Sequence, residues 1–152
     1  MLKAGSKAPK IDLLDQDGIR TTLASFGKKK VLVYFYPKAD TQACTIEACE
    51  IRDDLSAFVD LGITVIGASP DPVKAQAKFK AKYALPFTLL ADDDHALADA
   101  FGVWELKKFM GREYMGVVRT TFIIEPDGTI GHVFAGVTAK VHAAQVLAHL
   151  RA

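Results

Sequence analysis

The sequence has no long apolar run and no excess of charge of either sign. Its longest apolar segments, Val31–Tyr36 and Ile63–Ala68, are far shorter than the about 20 residues that a membrane-spanning helix needs. Nineteen Lys and Arg residues against eighteen Asp and Glu give a net charge of +1, so the composition offers no electrostatic basis for binding nucleic acid. Met1–Pro9 has no apolar stretch typical of a secretory signal. We therefore expect a cytoplasmic protein that binds neither membranes nor nucleic acid.

The sequence also lacks linker-like stretches, low-complexity tracts and internal repeats. Its 152 residues are 50% hydrophobic and 24% charged, which is typical of a globular protein with one domain. A chain of this size buries roughly 68–70% of its unfolded surface, so it needs no disulfides to hold a core together. We expect residues 1–152 to form a single domain.

Cysteine is scarce, since only Cys44 and Cys49 are present. In the cytosol, disulfides that do form are usually transient and catalytic. Alternatively, both thiols are buried as small apolar side chains, a common fate of free cysteine. The histidines are scattered, and the spacing of His142 and His149 does not suit zinc ligands. No glycine-rich phosphate loop occurs either, so we expect neither a metal nor a cofactor.

Hydrophobic periodicity predicts strands that alternate with helices. Val31–Tyr36 and Ile63–Ala68 are continuous apolar segments, which is typical of strands buried on both faces. Between them, apolar side chains recur every three or four positions and predict a helix from Thr41 to about Leu61. The other predicted elements are an N-terminal hairpin of Ile11–Leu14 and Arg20–Leu23, a helix with Asp71 as its N-cap, a strand over Phe87–Ala91, a short helix that begins near Asp92–Asp94, strands over Thr120–Glu125 and Thr129–Ala135, and a helix from Ala139. This order predicts an α/β sandwich with helices around a mixed central sheet.

Cys44 falls in the first turn of the predicted helix, with Thr41 as its N-cap. Unpaired backbone N–H groups and the helix dipole favour an anion there, and the thiolate is the nucleophilic form of cysteine. Lowering the pKa of a thiol from about 8.5 to about 6 takes about 3.4 kcal/mol. An exposed helix terminus supplies only about 0.3–1 kcal/mol. We therefore expect a nearby cation to contribute, and Arg119, at the start of a predicted strand, is the candidate.

Cys44 and Cys49 cannot form a disulfide while the predicted helix is intact. Helix geometry separates their Cα atoms by about 8.6 Å, whereas a disulfide tolerates at most about 7 Å. Either the two thiols never pair, or the first turns of the helix unwind when they do. The second option describes a redox switch.

The segment Pro37–Cys44, with Thr41 three residues before the cysteine, resembles the active-site signature of the peroxiredoxins. Cys49, five residues later, is similar to the second cysteine of the Q-type branch, also called bacterioferritin comigratory proteins. Val117–Gly128 resembles the second sequence block of the family, with its arginine at position 119. The resemblance covers Gly5–Leu150 and implies a thioredoxin-like three-layer sandwich.

The resemblance implies a thiol peroxidase that needs no cofactor. Cys44 would attack hydrogen peroxide or an organic hydroperoxide and become a sulfenic acid. Cys49 would condense with it to an intramolecular disulfide, which a thioredoxin-type reductant would reduce. Thr41 would hydrogen-bond the thiolate and the peroxide oxygen, and Arg119 would stabilise the thiolate and the charge that develops along the O–O bond. Pro37 would shield the site.

Gln42 and Ala43 stand where this branch usually has Pro-Gly, which affects the geometry of the loop but not the reaction. Two other classes of function remain open. A disulfide oxidoreductase on the same fold would use Cys-x-x-Cys, which the sequence lacks. A redox-sensing or chaperone-like module would use the same opening of the helix. The resemblance is compatible with a monomer or a dimer.

Overall fold

A computed structural model describes residues 1–152 apart from the side chain at position 141. The apolar and β-branched segments form strands, numbered here in chain order: β1 Asp12–Leu14, β2 Arg20–Thr22, β3 Lys30–Phe35, β4 Ile63–Ser69, β5 Thr88–Ala91, β6 Trp104–Phe109, β7 Arg112–Val117, β8 Thr120–Ile124 and β9 Ile130–Ala135. The helices are α1 Gln42–Asp53, α2 Leu55–Asp60, α3 Val73–Lys82, α4 Ala96–Ala100 and α5 His142–Arg151. Short 3-10 helices at Leu23–Phe26 and Ala139–Val141 precede β3 and α5.

The central sheet has the strand order β5-β4-β3-β8-β9. β3 runs parallel to β4, and β4 runs parallel to β5, whereas β8 is antiparallel to both β3 and β9. Tyr34 in β3 pairs with Gly67 in β4, where a Cβ atom would lie 2.9 Å from the tyrosine ring. The absence of a side chain at Gly67 therefore leaves the space that the Tyr34 ring occupies. The predicted mixed sheet is confirmed, as is the N-terminal hairpin of β1 and β2.

Alternate side chains of β3 point into two separate layers, because successive residues of a strand face opposite sides of the sheet. One layer consists of α1, α2, α3 and α5, and it packs on Leu32 and Tyr34 of β3 and on Tyr36, which directly follows the strand. The other layer contains α4 and the N-terminal segment, and it packs on Val31, Val33 and Phe35. These layers on a single sheet confirm the predicted three-layer sandwich. Within the described residues, no helix has both the length and the apolar character needed to cross a membrane.

The predicted helix from Thr41 to Leu61 is divided in two. At Asp54 the backbone leaves the helical region, with φ −101° and ψ 8°, so α1 ends one residue before it and α2 begins one residue after it. Ile51 and Phe58, on either side of the break, are buried in the same apolar cluster. The apolar spacing continues across the break, which is why periodicity alone predicts one helix.

Asp71 is not the N-cap of α3, as the sequence predicts. Pro72 takes that position, with φ −72° and ψ 164°. The Asp71 carboxylate instead accepts hydrogen bonds from the Ser69 hydroxyl at 2.6 Å and from the backbone N–H of Ala39 at 2.8 Å. Asp71 thus binds the loop after β3 rather than the helix that follows it.

The hairpin of β6 and β7 is not predicted by the sequence analysis. Its turn places Met110 and Gly111 at φ 48° and 78°, as in the type I′ turns that join two-residue hairpins. Leu106 and Phe109 are exposed by more than half, and Met110 by 87%. Because apolar side chains emerge on both faces of this hairpin, the sequence has no alternation to indicate a strand.

Candidate active site

The carboxyl end of β3 leads directly into the segment that positions Cys44. The chain passes through Pro37, which is half-buried, and α1 then begins after Thr41. Thr41 is extended, with φ −88° and ψ 160°, and its carbonyl accepts the first hydrogen bond of the helix from Thr45 N–H at 2.9 Å. Cys44 therefore lies in the first turn of α1, and it is only 1% exposed. The positive end of the helix dipole favours an anion at this sulfur.

Arg119 brings a cation to the Cys44 sulfur. It lies just before β8, and its side chain is only 15% exposed. Nη2 donates a hydrogen bond to Cys44 Sγ at 3.3 Å, and Nη1 donates to Glu47 Oε1 at 2.6 Å. Burial lowers the pKa of Arg119, but the negative charges of Glu47 and Cys44 outweigh burial, so the pKa is raised and the guanidinium stays charged. The two residues that the sequence analysis pairs are thus in contact.

Glu47 and His142 extend this contact into a buried polar chain that the sequence analysis misses. Both side chains are fully buried, and Glu47 Oε2 lies 3.1 Å from His142 Nδ1. The other ring nitrogen, Nε2, is 2.6 Å from the hydroxyl of Thr121 in β8. The sequence feature that indicates Glu47 as a site residue is its position three residues after Cys44, because residues at this spacing share one face of a helix. His142 had no comparable local signal.

Thr41 is exposed, and its hydroxyl donates to the Lys38 carbonyl at 2.8 Å. The hydrogen bond to the Cys44 thiol that the resemblance implies is not among the contacts of the described residues. The Thr41 oxygen keeps free lone pairs, and rotation about one side-chain bond would redirect its proton. In this state the Thr41 hydroxyl therefore donates its proton to the loop before α1 and not to the Cys44 sulfur.

Charged side chains anchor the loop in front of Cys44 to α3 and its end. Asp40, which has φ 60°, accepts hydrogen bonds from Lys82 Nζ at 2.8 Å and from the Tyr83 hydroxyl at 2.7 Å. The hydrogen bonds from Lys82 and Tyr83 lower the pKa of Asp40. The backbone N–H of Ala39 donates to Asp71, as described above. These contacts fix the loop although Gln42 and Ala43 take the place of Pro-Gly.

Cys49 lies further along α1, is half-buried, and is not bonded to Cys44. An unbroken α1 runs through both cysteines, from residue 42 to residue 53. Since an intact helix separates the two Cα atoms by about 8.6 Å, this state holds the two thiols apart.

The base of the hairpin of β6 and β7 borders the site. Lys107 donates to the Val117 carbonyl at 2.9 Å. Burial, and then the positive charge of Arg119, lower the pKa of Lys107, whereas the negative charge of Cys44 acts in the opposite direction. Within the described part of the chain, no group of three or more His, Cys, Asp or Glu side chains is arranged to hold a metal ion. What the site offers is a buried sulfur, a fixed cation and the start of a helix, which are the elements of a thiol nucleophile.

A comparison with protein families agrees with this class. The model of the AhpC/TSA family matches residues 4–133, so the chain belongs to the AhpC/TSA family and is a peroxiredoxin. Peroxiredoxin Bcp of Bacillus subtilis is 43% identical over 150 residues, which cover 99% of this chain and 96% of the relative. Peroxiredoxin Bcp of Escherichia coli is 45% identical over 150 residues, with the same shares of both chains.

Solved structures of related proteins confirm the thioredoxin-like fold. Xanthomonas campestris peroxiredoxin Q has a TM-score of 0.89 and 34% identity, over 97% of this chain and 96% of that one. A structure of the bacterioferritin comigratory protein of the same organism, which concerns its alkyl peroxide reduction activity, has a TM-score of 0.89 and 33% identity, over 97% of both chains. The Q-type branch that the sequence analysis names is thus confirmed.

Proposed function

We propose that this peroxiredoxin reduces hydrogen peroxide and organic hydroperoxides with Cys44 as the nucleophile and Cys49 as the resolving thiol. The observation that carries the proposal is the position of Arg119, whose guanidinium binds the Cys44 sulfur and the Glu47 carboxylate at once. Both apolar layers pack on one sheet, which supports residues 1–152 acting as a single domain.

In the first step, the Cys44 thiolate attacks the terminal oxygen of the hydroperoxide. A sulfur–oxygen bond forms, the O–O bond breaks, and the second oxygen leaves as an alcohol or as water after it takes a proton. The sulfur is oxidised by two electrons to a sulfenic acid, the first stage of cysteine oxidation. A donor aimed at the leaving oxygen stabilises its developing charge, and we assign this role to Arg119, which already donates a hydrogen bond to the attacking sulfur.

In the second step, the Cys49 thiol attacks the Cys44 sulfenic sulfur, so that a disulfide forms and water leaves. This step requires the first turns of α1 to unwind, because a disulfide tolerates a Cα separation of at most about 7 Å. A thioredoxin-type dithiol then reduces the disulfide by thiol–disulfide exchange and restores both cysteines. In the same proposal the reductant is a thioredoxin-type protein and the chain is a monomer or a dimer. Thr41 donates a hydrogen bond to the thiolate and the peroxide oxygen, and Pro37 shields the site.

The experiment that tests the cycle couples peroxide consumption to a thioredoxin and its reductase. We expect many equivalents of hydrogen peroxide, or of an alkyl hydroperoxide, to be consumed per protein molecule. A redox-sensing module would consume one equivalent and then stop. Such stoichiometric oxidation, with thioredoxin and its reductase present and active on a control substrate, would overturn the proposal.

A further inference from the structure

His142 and Glu47 are each other's partners in a fully buried environment. Glu47 Oε2 and His142 Nδ1 lie 3.1 Å apart, but their geometry is not that of an aligned hydrogen bond. Apart from this contact, neither atom has a polar partner among the described residues. Buried polar atoms in native proteins are almost always satisfied. Their mutual contact is therefore what replaces the water that each atom loses when it is buried.

The chemistry of the pair determines which atom carries the proton. A carboxylate that binds Arg119 accepts hydrogen bonds and donates none, so the proton between the two groups lies on Nδ1 of His142. The hydroxyl of Thr121 faces the other ring nitrogen and can either donate or accept. The ring is thus held from both sides, with Nδ1 directed at Glu47.

The position of Glu47 along the chain connects this contact to the proposed reaction. Glu47 lies between Cys44 and Cys49 in α1, whereas His142 is the first residue of α5. While α1 is wound, the carboxylate binds His142 on one side and Arg119 on the other. The unwinding that joins the two cysteines carries Glu47 with it, so both contacts must break before the disulfide can form.

We propose that His142 is a positioning residue of the peroxidase site, which holds Glu47 so that Arg119 stays on the Cys44 sulfur and α1 stays wound until the sulfenic acid has formed. This inference rests on the proposed function, because it predicts opposite effects of His142 on the two proposed steps, the attack on peroxide and the formation of the disulfide. Loss of the contact slows the attack on peroxide, because the Glu47–Arg119 pair loses its fixed geometry. The same loss speeds disulfide formation, because one contact fewer opposes unwinding.

Two substitutions distinguish the effect of losing the donor toward Glu47 from the effect of losing the imidazole ring itself. In His142→Asn the amide N–H₂ takes the place of Nδ1 and keeps a donor toward Glu47. In His142→Gln the amide takes the place of Nε2, so the donor toward Glu47 is lost and the partner of Thr121 is kept. His149→Gln, an exposed position on the same helix, is the matched control.

The first measurement is the rate of sulfenic acid formation with hydrogen peroxide, in a Cys49→Ser background, by rapid quenching and mass spectrometry. The second is the rate of Cys44–Cys49 disulfide formation with both cysteines present. For His142→Gln we expect the first rate to fall about tenfold and the second to rise about tenfold, the size expected when a buried charged acceptor loses a polar partner. His142→Asn and His149→Gln are expected to match the wild type in both rates.

Equal rates in His142→Gln and the wild type would overturn the inference. An equal loss in the Asn and Gln variants would also overturn it, because the bulk of the ring rather than its donor would then matter. If His142→Gln fails to fold, Glu47→Gln provides the second test, since its neutral side chain must give the same opposite changes in the two rates. Absence of any disulfide in the wild type would refute the proposed resolving step, whereas the first rate would still test His142.

Discussion

Cys44 and Cys49 lie on one helix, but among the described residues an arginine donates a hydrogen bond only to the Cys44 sulfur. Cys44 is almost fully buried, and Arg119 donates a hydrogen bond to its sulfur at 3.3 Å. Cys49 is half-buried and lies three residues before Arg52. The Arg52 guanidinium, however, binds the Asp53 carboxylate at 3.0 Å and the Tyr83 carbonyl at 2.7 Å. Cys44 therefore accepts a hydrogen bond from a buried cation, whereas Cys49 lies near the charge of Arg52 but the Arg52 donors bind other groups.

This difference teaches what each step of the reaction requires. Attack on a peroxide needs a stabilised thiolate and a donor for the leaving oxygen, and both demand fixed charges. Attack on the sulfenic acid by the second thiol requires the two sulfur atoms to come together, and this requires a helix that can unwind. The substitutions below test the comparison, from the largest expected effect to the smallest.

Cys44→Ser is expected to abolish peroxide consumption, because a serine hydroxyl supplies no thiolate at this position. The measurement is peroxide loss in the thioredoxin-coupled assay. The circular dichroism spectrum serves as a control and should stay that of the wild type. Peroxide turnover in this variant would show that a group other than Cys44 is the nucleophile.

Cys49→Ser is expected to leave one fast turnover and to stop the cycle after it. The Cys44 sulfenic acid then has no internal thiol to condense with, so thioredoxin has no intramolecular disulfide to reduce. Rapid-mixing kinetics would show one equivalent of peroxide consumed, and mass spectrometry would show a trapped sulfenic acid. A Cys44–Cys49 linkage that fails to form in the wild type after one equivalent of peroxide would contradict this account.

Arg119→Ala is expected to slow the reaction with hydrogen peroxide by about 10²–10³, the usual cost of removing a donor to a developing anion. Arg119→Lys keeps the charge but loses the fork that binds Cys44 and Glu47 together, so we expect an intermediate rate. The measurement is the second-order rate constant of the first turnover. A wild-type rate in the alanine variant would show that Arg119 takes no part in the reaction with peroxide.

Asp40→Asn is expected to have the smallest effect, because Asp40 is exposed and acts only on the loop before Cys44. The hydrogen bonds from Lys82 and Tyr83 lower the pKa of Asp40 in the folded protein. Its stabilising contribution is therefore fully present above the unfolded pKa of about 3.9 and is lost as the pH falls through the lowered folded pKa. Thermal unfolding should show a small difference between variant and wild type at neutral pH that disappears in acid. A difference that persists in acid would point to another cause.

Local sequence patterns predict the fold and part of the site, but not the contacts that connect distant segments. Cys44 and Thr41 lie within one helix start, and Arg119 lies in a recognisable block, so all three can be predicted. The contact of Glu47 with Arg119 spans 72 residues and becomes visible only when the sheet brings α1 and β8 together. His142 has an apolar helix face around it, and nothing in that local pattern distinguishes a buried partner of a carboxylate from an ordinary core residue.

The central proposal is that the Arg119 guanidinium, which donates a hydrogen bond to the Cys44 sulfur, stabilises the thiolate that attacks the peroxide, and alkylation tests it most directly. Iodoacetamide reacts with thiolates, so its rate with Cys44, in a Cys49→Ser background, reports the ionised fraction. At about pH 6.5, below the ordinary thiol pKa of about 8.5, we predict that Arg119→Ala loses most of the wild-type rate. At about pH 10, above that pKa, both proteins should react alike. The same ratio of rates at both pH values would contradict the account.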